Sequence, residues 1–516
     1  MSEDGLSVQH QDESVAQAPH NFSFFVATCF TLNYIIGSGF LTLPWAFYET
    51  GWCLGLFLLG LITLGSIGAS WFILEAMARA EALTRHSVDG DNKVSIAQSS
   101  GSYHTISPLS SHNSNHSFMG VDAGEGGHQQ AAHLAGAMVG ARKFEIPELC
   151  EIFIGPRGRQ VYAVTIGIYM YGTLWAYSTV FANACATQLP LTSAGNTGQN
   201  NSSYLAYLAL FAVLMVPASL MELSEQITIQ VSLSACRMLL LVVMLLSIFV
   251  AHVDGSTTAF GDTGESREPG VVWRMSKVYI LLPIAAYANI FHHSIPSLSH
   301  PVVDKGSLGK IFTTALIVSW AAYAGIGTAI SIFFGEHTKV ASNLNWRSYV
   351  GSGIPGDEAP LYARLISCFV VLFPAMDVAS AYPLNAITLG NNLLCAVYGS
   401  QLAPAMERSR MHRMGFRLLA AVPPLLLALV ESNLGEITDF TGLTGFAVAF
   451  IFPALLSLYS ENKLREAGID PNTCYSNWWT RRFFLLLTAS FGVFLSLFVA
   501  SNLIILGPPQ GQTRRC

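Results

Sequence analysis

The sequence predicts an all-α, polytopic membrane protein. Of its 516 residues, 52% are hydrophobic and only 11% are charged, and the mean hydropathy is +0.45. A soluble chain of this length carries more charge and less apolar surface. About eleven apolar stretches are long enough to cross a hydrocarbon core of roughly 30 Å. They lie at 22–49, 52–78, 160–187, 204–221, 227–251, 274–300, 310–334, 360–398, 415–431, 436–459 and 482–507.

We therefore expect about eleven transmembrane helices in one membrane domain at residues 22–507. The eighth stretch, 360–398, is long for one crossing and contains Pro374 and Pro383. Because proline bends or ends a helix, this stretch predicts one bent helix followed by an interfacial piece rather than two spans.

The positions of Lys and Arg predict the orientation. Positive charge near the ends of spans stays on the cytoplasmic side, and a cytoplasmic N-terminus places most of these residues in inner connections. Residues 1–21 are then a cytoplasmic tail, and residues 508–516 form a short tail on the outer or lumenal side. Residues 84–143 are rich in Ser, Gly, His, Gln and Asn and predict a disordered cytoplasmic loop. The plasma membrane and an endolysosomal membrane both remain open as locations.

Two of the predicted spans are interrupted near their middles. The first breaks at Gly37-Ser38-Gly39, with Pro44 following, and the sixth breaks around residues 289–294, before Pro296. An unwound helix at membrane depth leaves backbone N–H and C=O groups unpaired. Each unpaired group costs several kcal/mol unless protein or a polar occupant pairs with it. The breaks are therefore candidate binding sites.

The two breaks occupy corresponding places in two halves of the chain. If spans one to five form one unit and spans six to ten another, the odd number inverts the second unit, and both units open with a broken span. Paired broken helices in inverted halves are a good sequence pointer to the central site of a transporter. We therefore expect a five-plus-five inverted repeat with broken helices 1 and 6.

The motifs at these positions resemble a known family. NYIIGSGFLTLPWAF at residues 33–47 is similar to the first span of the amino acid/auxin permease family. Four more stretches, at 72–78, 293–298, 372–392 and 441–454, are similar to one branch of it. The resemblance extends from about residue 22 to residue 502, without the polar loop. It implies a secondary active transporter of small neutral amino acids that works by alternating access, coupled to a cation, with sodium favoured over a proton.

The first break supplies candidate substrate-binding groups. The N–H groups around Gly37, Ser38 and Gly39 suit the carboxylate of an amino acid, because helix N-termini carry partial positive charge. The carbonyls of Ile36 and Gly37 suit its ammonium group or a cation. The alternative is that these glycines only allow close helix packing, as small residues do in membranes.

The second break supplies further candidates for the substrate site, namely Tyr287, Asn289, His292 and Ser294. His292 and His293 are adjacent and point to different sides of a helix, so we expect no shared metal ion. One of the two histidines could carry a proton near neutral pH. A histidine that only forms a hydrogen bond is an equally good interpretation.

The resemblance also implies residues that bind the coupling ion. Asn33 lies one turn before the first break, where sodium-coupled members of the family have an ion-site Asn; the alternative is a helix-to-helix hydrogen bond. Asp377, on the eighth span, could hold sodium or carry a proton. Sodium-coupled relatives use a hydroxyl residue on this span, for which Ser367 is the candidate and Ser380 the neighbour. Arg237, inside the fifth span near Glu225, could extend to the interface or form an ion pair, and it is assigned no catalytic role.

Other classes of protein are not indicated. The sequence contains no Walker motif, nucleotide fold or dedicated metal cage. We therefore expect no enzyme activity, no metal, no nucleic-acid partner and no cofactor beyond a sodium ion or proton. The expected partners are a small amino acid and the lipid bilayer, and protein partners are open. The alternative function is an amino acid sensor that binds its ligand and signals through a partner without net transport.

Overall fold

The computed structural model describes residues 22–100, 137–140, 142, 144–191, 197–221, 227–253, 259–260, 271–351 and 359–506. Within these ranges the structure is helical, with no strand beyond two isolated bridges, which confirms the all-α class. The first helices are α1 (Phe24–Ile35), α2 (Leu43–Thr50), α3 (Trp52–Ser100), α4 (Ile146–Phe153), α5 (Pro156–Gln188), α6 (Thr197–Leu220) and α7 (Ile227–Val253). They are followed by α8 (Val278–Asn289), α9 (Ile295–Ser299), α10 (Leu308–Phe334), α11 (Leu361–Arg408), α12 (Arg410–Val430), α13 (Leu434–Phe446), α14 (Phe452–Glu466) and α15 (Arg482–Leu506).

The helices have the length and composition of a polytopic membrane protein. In the part of the chain that the structure describes, nine helices are long and apolar enough to cross a membrane. The predicted first span is divided between the shorter helices α1 and α2, and the predicted third span is the 33-residue helix α5. The number eleven and the inverted repeat stay predictions.

Both predicted interruptions are present in the structure. Helix α1 ends at Ile35, Gly37 has a non-helical backbone with φ −94° and ψ −147°, and a 3₁₀ helix occupies Ser38–Leu41 before α2 begins. Helix α8 ends at Asn289, and a 3₁₀ helix at His292–Ser294 leads into α9. The chain is thus unwound at the two places where its backbone polar groups need partners.

The second broken helix lies in the centre of the protein. All twelve residues of α8 are buried, and a Cβ atom added at Gly39 would lie 2.9 Å from Ala288 Cα. Real Cβ atoms do not approach other atoms so closely, so only glycine fits at this position. The absence of a side chain at Gly39 therefore brings the two breaks into direct contact.

Helix α3 extends past the predicted start of the polar loop at residue 84 and continues to Ser100. The bounds and the disorder of the loop stay predictions. Beyond the apolar part, the helix is extended by local contacts that polar residues make. Thr84 Oγ1 donates to the carbonyl of Ala80, and Arg85 pairs with Glu81 at 3.2 Å. Residues 101–136, like the predicted tails 1–21 and 508–516, lie outside the described residues.

Candidate functional site

The two helix breaks meet through side chains as well as backbone. Ser38 Oγ lies 2.9 Å from the Tyr287 hydroxyl oxygen. The Tyr323 hydroxyl, from α10, lies 2.9 Å from both the Ile35 and the Ala288 carbonyl oxygens, which are close to the ends of α1 and α8. A tyrosine hydroxyl has one hydrogen to donate, so it donates to one of the two carbonyls at a time, while the Ile35 carbonyl also accepts from the Gly37 N–H. The two carbonyls retain lone pairs for an ammonium group or a cation.

A polar cavity of about 60 Å³ lies beside the breaks. It is lined by Asn33, Tyr34, Tyr169, Thr173, Tyr177, Arg237, Ile290, His293, Ser294, Asp377, Ser380, Ala381, Leu384, Asn385 and Thr388. This space is large enough for a few water molecules and is smaller than the typical small-molecule site of about 300–1,000 Å³. On α11 the lining extends from Asp377 to Thr388, about 16 Å along the helix, toward the side predicted to be cytoplasmic.

The first break lies beside this cavity, but one of its predicted free donors, the N–H group of Gly37, has a partner. The N–H group of Gly37 donates to the Ile35 carbonyl at 2.9 Å, so it is already paired and does not serve as a free donor. Gly37 nevertheless lies against the cavity, because a Cβ added there would be 3.3 Å from the Tyr177 hydroxyl. Ile36, Ser38 and Gly39 are buried around the same point.

Two candidates from the second break point away from the cavity. Asn289 Oδ1 accepts from Thr63 Oγ1 at 3.1 Å, and His292 Nε2 lies 3.0 Å from the Ser66 carbonyl oxygen. Both contacts are with α3, so Asn289 and His292 attach the broken helix to its neighbour. These contacts do not place the two side chains in the cavity, and their predicted role in substrate binding stays untested.

His293 takes the place that was predicted for His292. It lines the cavity together with Ser294, and its ring packs against Tyr169 with centroids 5.6 Å apart. Adjacent residues project in different directions from a helical backbone, so only one of the two histidines can face the cavity. Tyr287 remains at the site through its contact with Ser38.

The predicted ion-coupling residues Asn33 and Asp377 come together around an arginine. Arg237 Nη2 donates to the two carboxylate oxygens of Asp377 at 2.5 and 2.6 Å, and Nη1 donates to Asn33 Oδ1 at 2.8 Å. Arg237 and Asp377 are 4% and 5% exposed. The guanidinium therefore supplies the positive charge expected from sodium. The role of Asn33 and Asp377 in binding the coupling ion stays a prediction.

Ser367 is not part of this cluster. It precedes Asp377 by ten residues on the same helix, which is about 15 Å along the axis. Ser380 lines the cavity instead, and its hydroxyl donates to the Asp377 carbonyl at 2.7 Å. A residue three positions away lies on the same face of a helix, which is why Ser380 is the hydroxyl near Asp377.

Two residues of the site were missed by sequence reasoning. Arg237 carries a signal, because an ionisable residue inside a membrane span is a functional candidate by default. Tyr323 carries none, because a tyrosine in an apolar span is common and only the packing of α10 directs its hydroxyl to both breaks. Across the described residues, no group of three or more His, Cys, Asp or Glu side chains is arranged to hold a metal ion.

Two broken helices that meet beside a buried polar cavity are typical of secondary transporters. Residues 135–505 match the family model described as "Transmembrane amino acid transporter protein". The match covers more than half of the chain, and the protein belongs to this family.

The chain is also similar along most of its length to proteins named transmembrane protein 104. It is 26% identical to the homolog from Dictyostelium discoideum, over 90% of this chain and 94% of that protein. The homolog from Drosophila melanogaster is 24% identical, with 87% and 91% covered, and transmembrane protein 104 from Homo sapiens is 22% identical, with 94% and 97% covered. The branch of the family that the motifs indicated is the one that bears this name, and the resemblance to it is confirmed.

Proposed function

We propose that this protein is a secondary active transporter that carries a small neutral amino acid together with a cation, by alternating access. Its family supports the transport of amino acids. The observation that carries the proposal is the contact between the two breaks. Ser38 lies within hydrogen-bond distance of Tyr287, and the Tyr323 hydroxyl lies within hydrogen-bond distance of the Ile35 and Ala288 carbonyls. Such a junction offers donors and acceptors to both ends of a zwitterion.

The charges at the site favour a neutral amino acid. The ammonium group of the substrate suits the Ile35 and Ala288 carbonyls, which share the one hydroxyl hydrogen of Tyr323. Its carboxylate suits the start of the Ser38–Leu41 helix, where N–H groups lack partners within the helix. Arg237 and Asp377 neutralise each other, so neither is available for a charged side chain of the substrate. The small volume of the cavity favours an amino acid with a small side chain.

The ion pair between Arg237 and Asp377 also affects which cation can be coupled to transport. A guanidinium that already occupies the Asp377 oxygens supports a proton, rather than sodium, as the ion that accompanies the substrate. This reverses the preference for sodium that the resemblance implied. The cavity extends toward the predicted cytoplasmic side, and we assign this conformation to the inward-facing half of the cycle.

Uptake of labelled alanine, serine and proline into proteoliposomes containing the full chain tests the proposal. We expect uptake that an inward proton gradient drives, that a proton ionophore abolishes and that replacement of sodium by potassium leaves unchanged. Protein-free liposomes are the control. Uptake that follows only a sodium gradient overturns the assignment of the proton. Saturable binding of these amino acids without net flux overturns transport and favours the sensor.

A further inference from the structure

A second buried carboxylate lies outside the site described above. Asp439, on α13, is 2% exposed, and within the described part of the chain neither of its carboxylate oxygens has a hydrogen-bond partner. Asp377, by contrast, has both oxygens on Arg237. An isolated ionised carboxylate is very costly in an apolar interior, and such a group takes a proton instead. The absence of hydrogen-bond partners for Asp439 among the described residues therefore indicates a protonated carboxyl group.

The packing of α13 on α8 identifies what faces Asp439. Gly442, one turn further along α13, is so close to α8 that a Cβ there would lie 2.1 Å from the Pro283 carbonyl oxygen. Both helices are predicted to run from the outer to the inner side, so the turn before Gly442 lies beside the turn before Pro283. Tyr279 belongs to that turn and interacts electrostatically with Asp439. Proline also leaves the Tyr279 carbonyl without its usual helical donor.

The charged groups near Asp439 do not compensate its charge. Glu436, one turn earlier on α13, is the charged side chain that acts on it, and two carboxylates repel each other. Arg274 and Lys277, before the start of α8, lie 3.9 Å from Glu49 and are engaged there.

Lys339 lies next to Val340, which contacts Gly435 at the start of α13, but its ammonium group donates to the Leu344 carbonyl at 3.1 Å. Helix α5 presents Gly172 to Thr441 and Tyr169 to Gly445. Helix α15 has a single charged residue, Arg482, and it lies at the inner end of that helix. The π-helical turn Ala447–Ile451 contains no ionisable residue. None of these contacts balances an ionised Asp439.

The surroundings of Asp439 favour the binding of a proton over the binding of a metal cation. A hard metal cation collects about six oxygen ligands, whereas the Asp439 oxygens have no hydrogen-bond partner among the described residues. A proton needs only one carboxylate oxygen, to which it bonds to give a neutral acid. The neutral acid also gains a donor, and we infer that the Tyr279 carbonyl on the facing helix, which lacks its helical donor, is the acceptor.

The position along α13 indicates the side from which the proton arrives. The helix begins at Leu434, after the capping residue Asn433, and Asp439 lies about 8 Å further along the axis. This end is predicted to be the outer one. The outer half is closed here, while the cavity extends toward the other side. We propose that Asp439 is a proton-binding site of the outer half, loaded when that half opens, and that the neutral acid permits the closed packing of α13 against α8.

Infrared difference spectroscopy on the full chain tests this site without a substrate. In a detergent without ester carbonyls at pH 7, we expect the wild type to show the carbonyl stretch of a protonated carboxylic acid. The band should be lost in Asp439→Asn, shift in Asp439→Glu and persist in the control Glu436→Gln. The glutamate variant keeps the test decisive if the asparagine variant does not fold.

A wild type without this band at pH 7, or a band that is unchanged in the Asp439 variants, overturns the proposal. A band that disappears in Glu436→Gln assigns the proton to Glu436 and overturns it as well. The role of the proton in transport rests on the proposed function, but the proton site does not. If the band behaves as expected while proteoliposomes transport none of the amino acids tested, the proposed function fails and the site stands.

Discussion

Arg237 and Asp377 form a buried ion pair in which one guanidinium nitrogen, Nη2, contacts both carboxylate oxygens at 2.5 and 2.6 Å. The other terminal nitrogen donates to Asn33, two residues before the end of α1. The Arg237 guanidinium on α7 thus connects α11, through Asp377, with the end of α1, through Asn33, close to the first break. This arrangement requires all three helices to move together or the ion pair to separate.

Removal of one partner of this pair should be strongly destabilising. Asp377→Ala leaves a buried guanidinium without its counter-charge, and Arg237→Ala leaves a buried carboxylate. Each change is expected to lower the free energy of unfolding by about 3–5 kcal/mol. The combination of Arg237→Met with Asp377→Leu should recover most of the loss, because it removes both charges. Thermal unfolding in detergent measures these effects, with the exposed Arg347→Ala as the matched control. Single variants that unfold at the wild-type temperature would contradict this role.

Sodium should not stabilise the wild-type protein more than potassium does. A ligand that binds only the folded state raises its stability according to its concentration relative to its Kd, and the guanidinium already occupies the Asp377 oxygens. The midpoint of thermal unfolding is therefore expected to be the same in sodium chloride and potassium chloride at equal ionic strength. A rise that is specific to sodium and saturates with its concentration would show that a sodium site exists elsewhere.

Gly39→Ala should separate the two breaks. The added methyl group would lie 2.9 Å from Ala288 Cα and 3.1 Å from a Tyr287 ring atom, and overpacking of this kind costs about 1–3 kcal/mol. We expect the loss of amino acid uptake with a modest loss of stability. Gly60→Ala is the control, because its nearest neighbour would be 3.6 Å away, at the Trp320 indole nitrogen. Equal uptake by the two variants would mean that the contact between the breaks is not needed for transport.

Tyr323→Phe should remove the side-chain donor of the Ala288 carbonyl, whereas the Ile35 carbonyl keeps the Gly37 N–H. A buried polar group that loses its partner costs about 1–3 kcal/mol, so the melting temperature should fall. Uptake should fall further than stability alone explains, because the carbonyls belong to the proposed ammonium site. The exposed Tyr459→Phe serves as the matched control. An unchanged melting temperature would indicate that water or another donor satisfies the Ala288 carbonyl.

The helix breaks could be predicted because their cause is local. A run of Gly37, Ser38 and Gly39 followed by Pro44 disfavours a continuous helix wherever it stands, and an apolar context makes the break visible. Which side chains then enter the cavity is not local. The backbone at Ile290 turns to ψ 116°, and this rotation, which no sequence pattern specifies, directs His293 rather than His292 inward.

Long-range pairs were beyond sequence reasoning for a related reason. Arg237 and Asp377 are 140 positions apart, and only the packing of α7 against α11 brings them together. The individual residues still carry a signal, since an ionisable group inside an apolar stretch calls for a partner or a function. Asp439, inside the predicted tenth span, carries the same signal, and the structure adds that its oxygens lack a partner in the described part of the chain.

Substitution of the two adjacent histidines should have different effects, one on substrate affinity and the other on stability. His293 lines the cavity, so His293→Ala is expected to weaken the binding of a transported amino acid about fivefold, the equivalent of one hydrogen bond of ~1 kcal/mol. His292 instead contacts the Ser66 carbonyl at 3.0 Å, and His292→Ala should lower stability by about 1–3 kcal/mol while affinity stays near that of the wild type. Equilibrium binding of the labelled amino acid and thermal unfolding are measured on the same preparations. Since each variant is the control for the other, an affinity loss confined to His292→Ala would reverse the assignment of the two side chains.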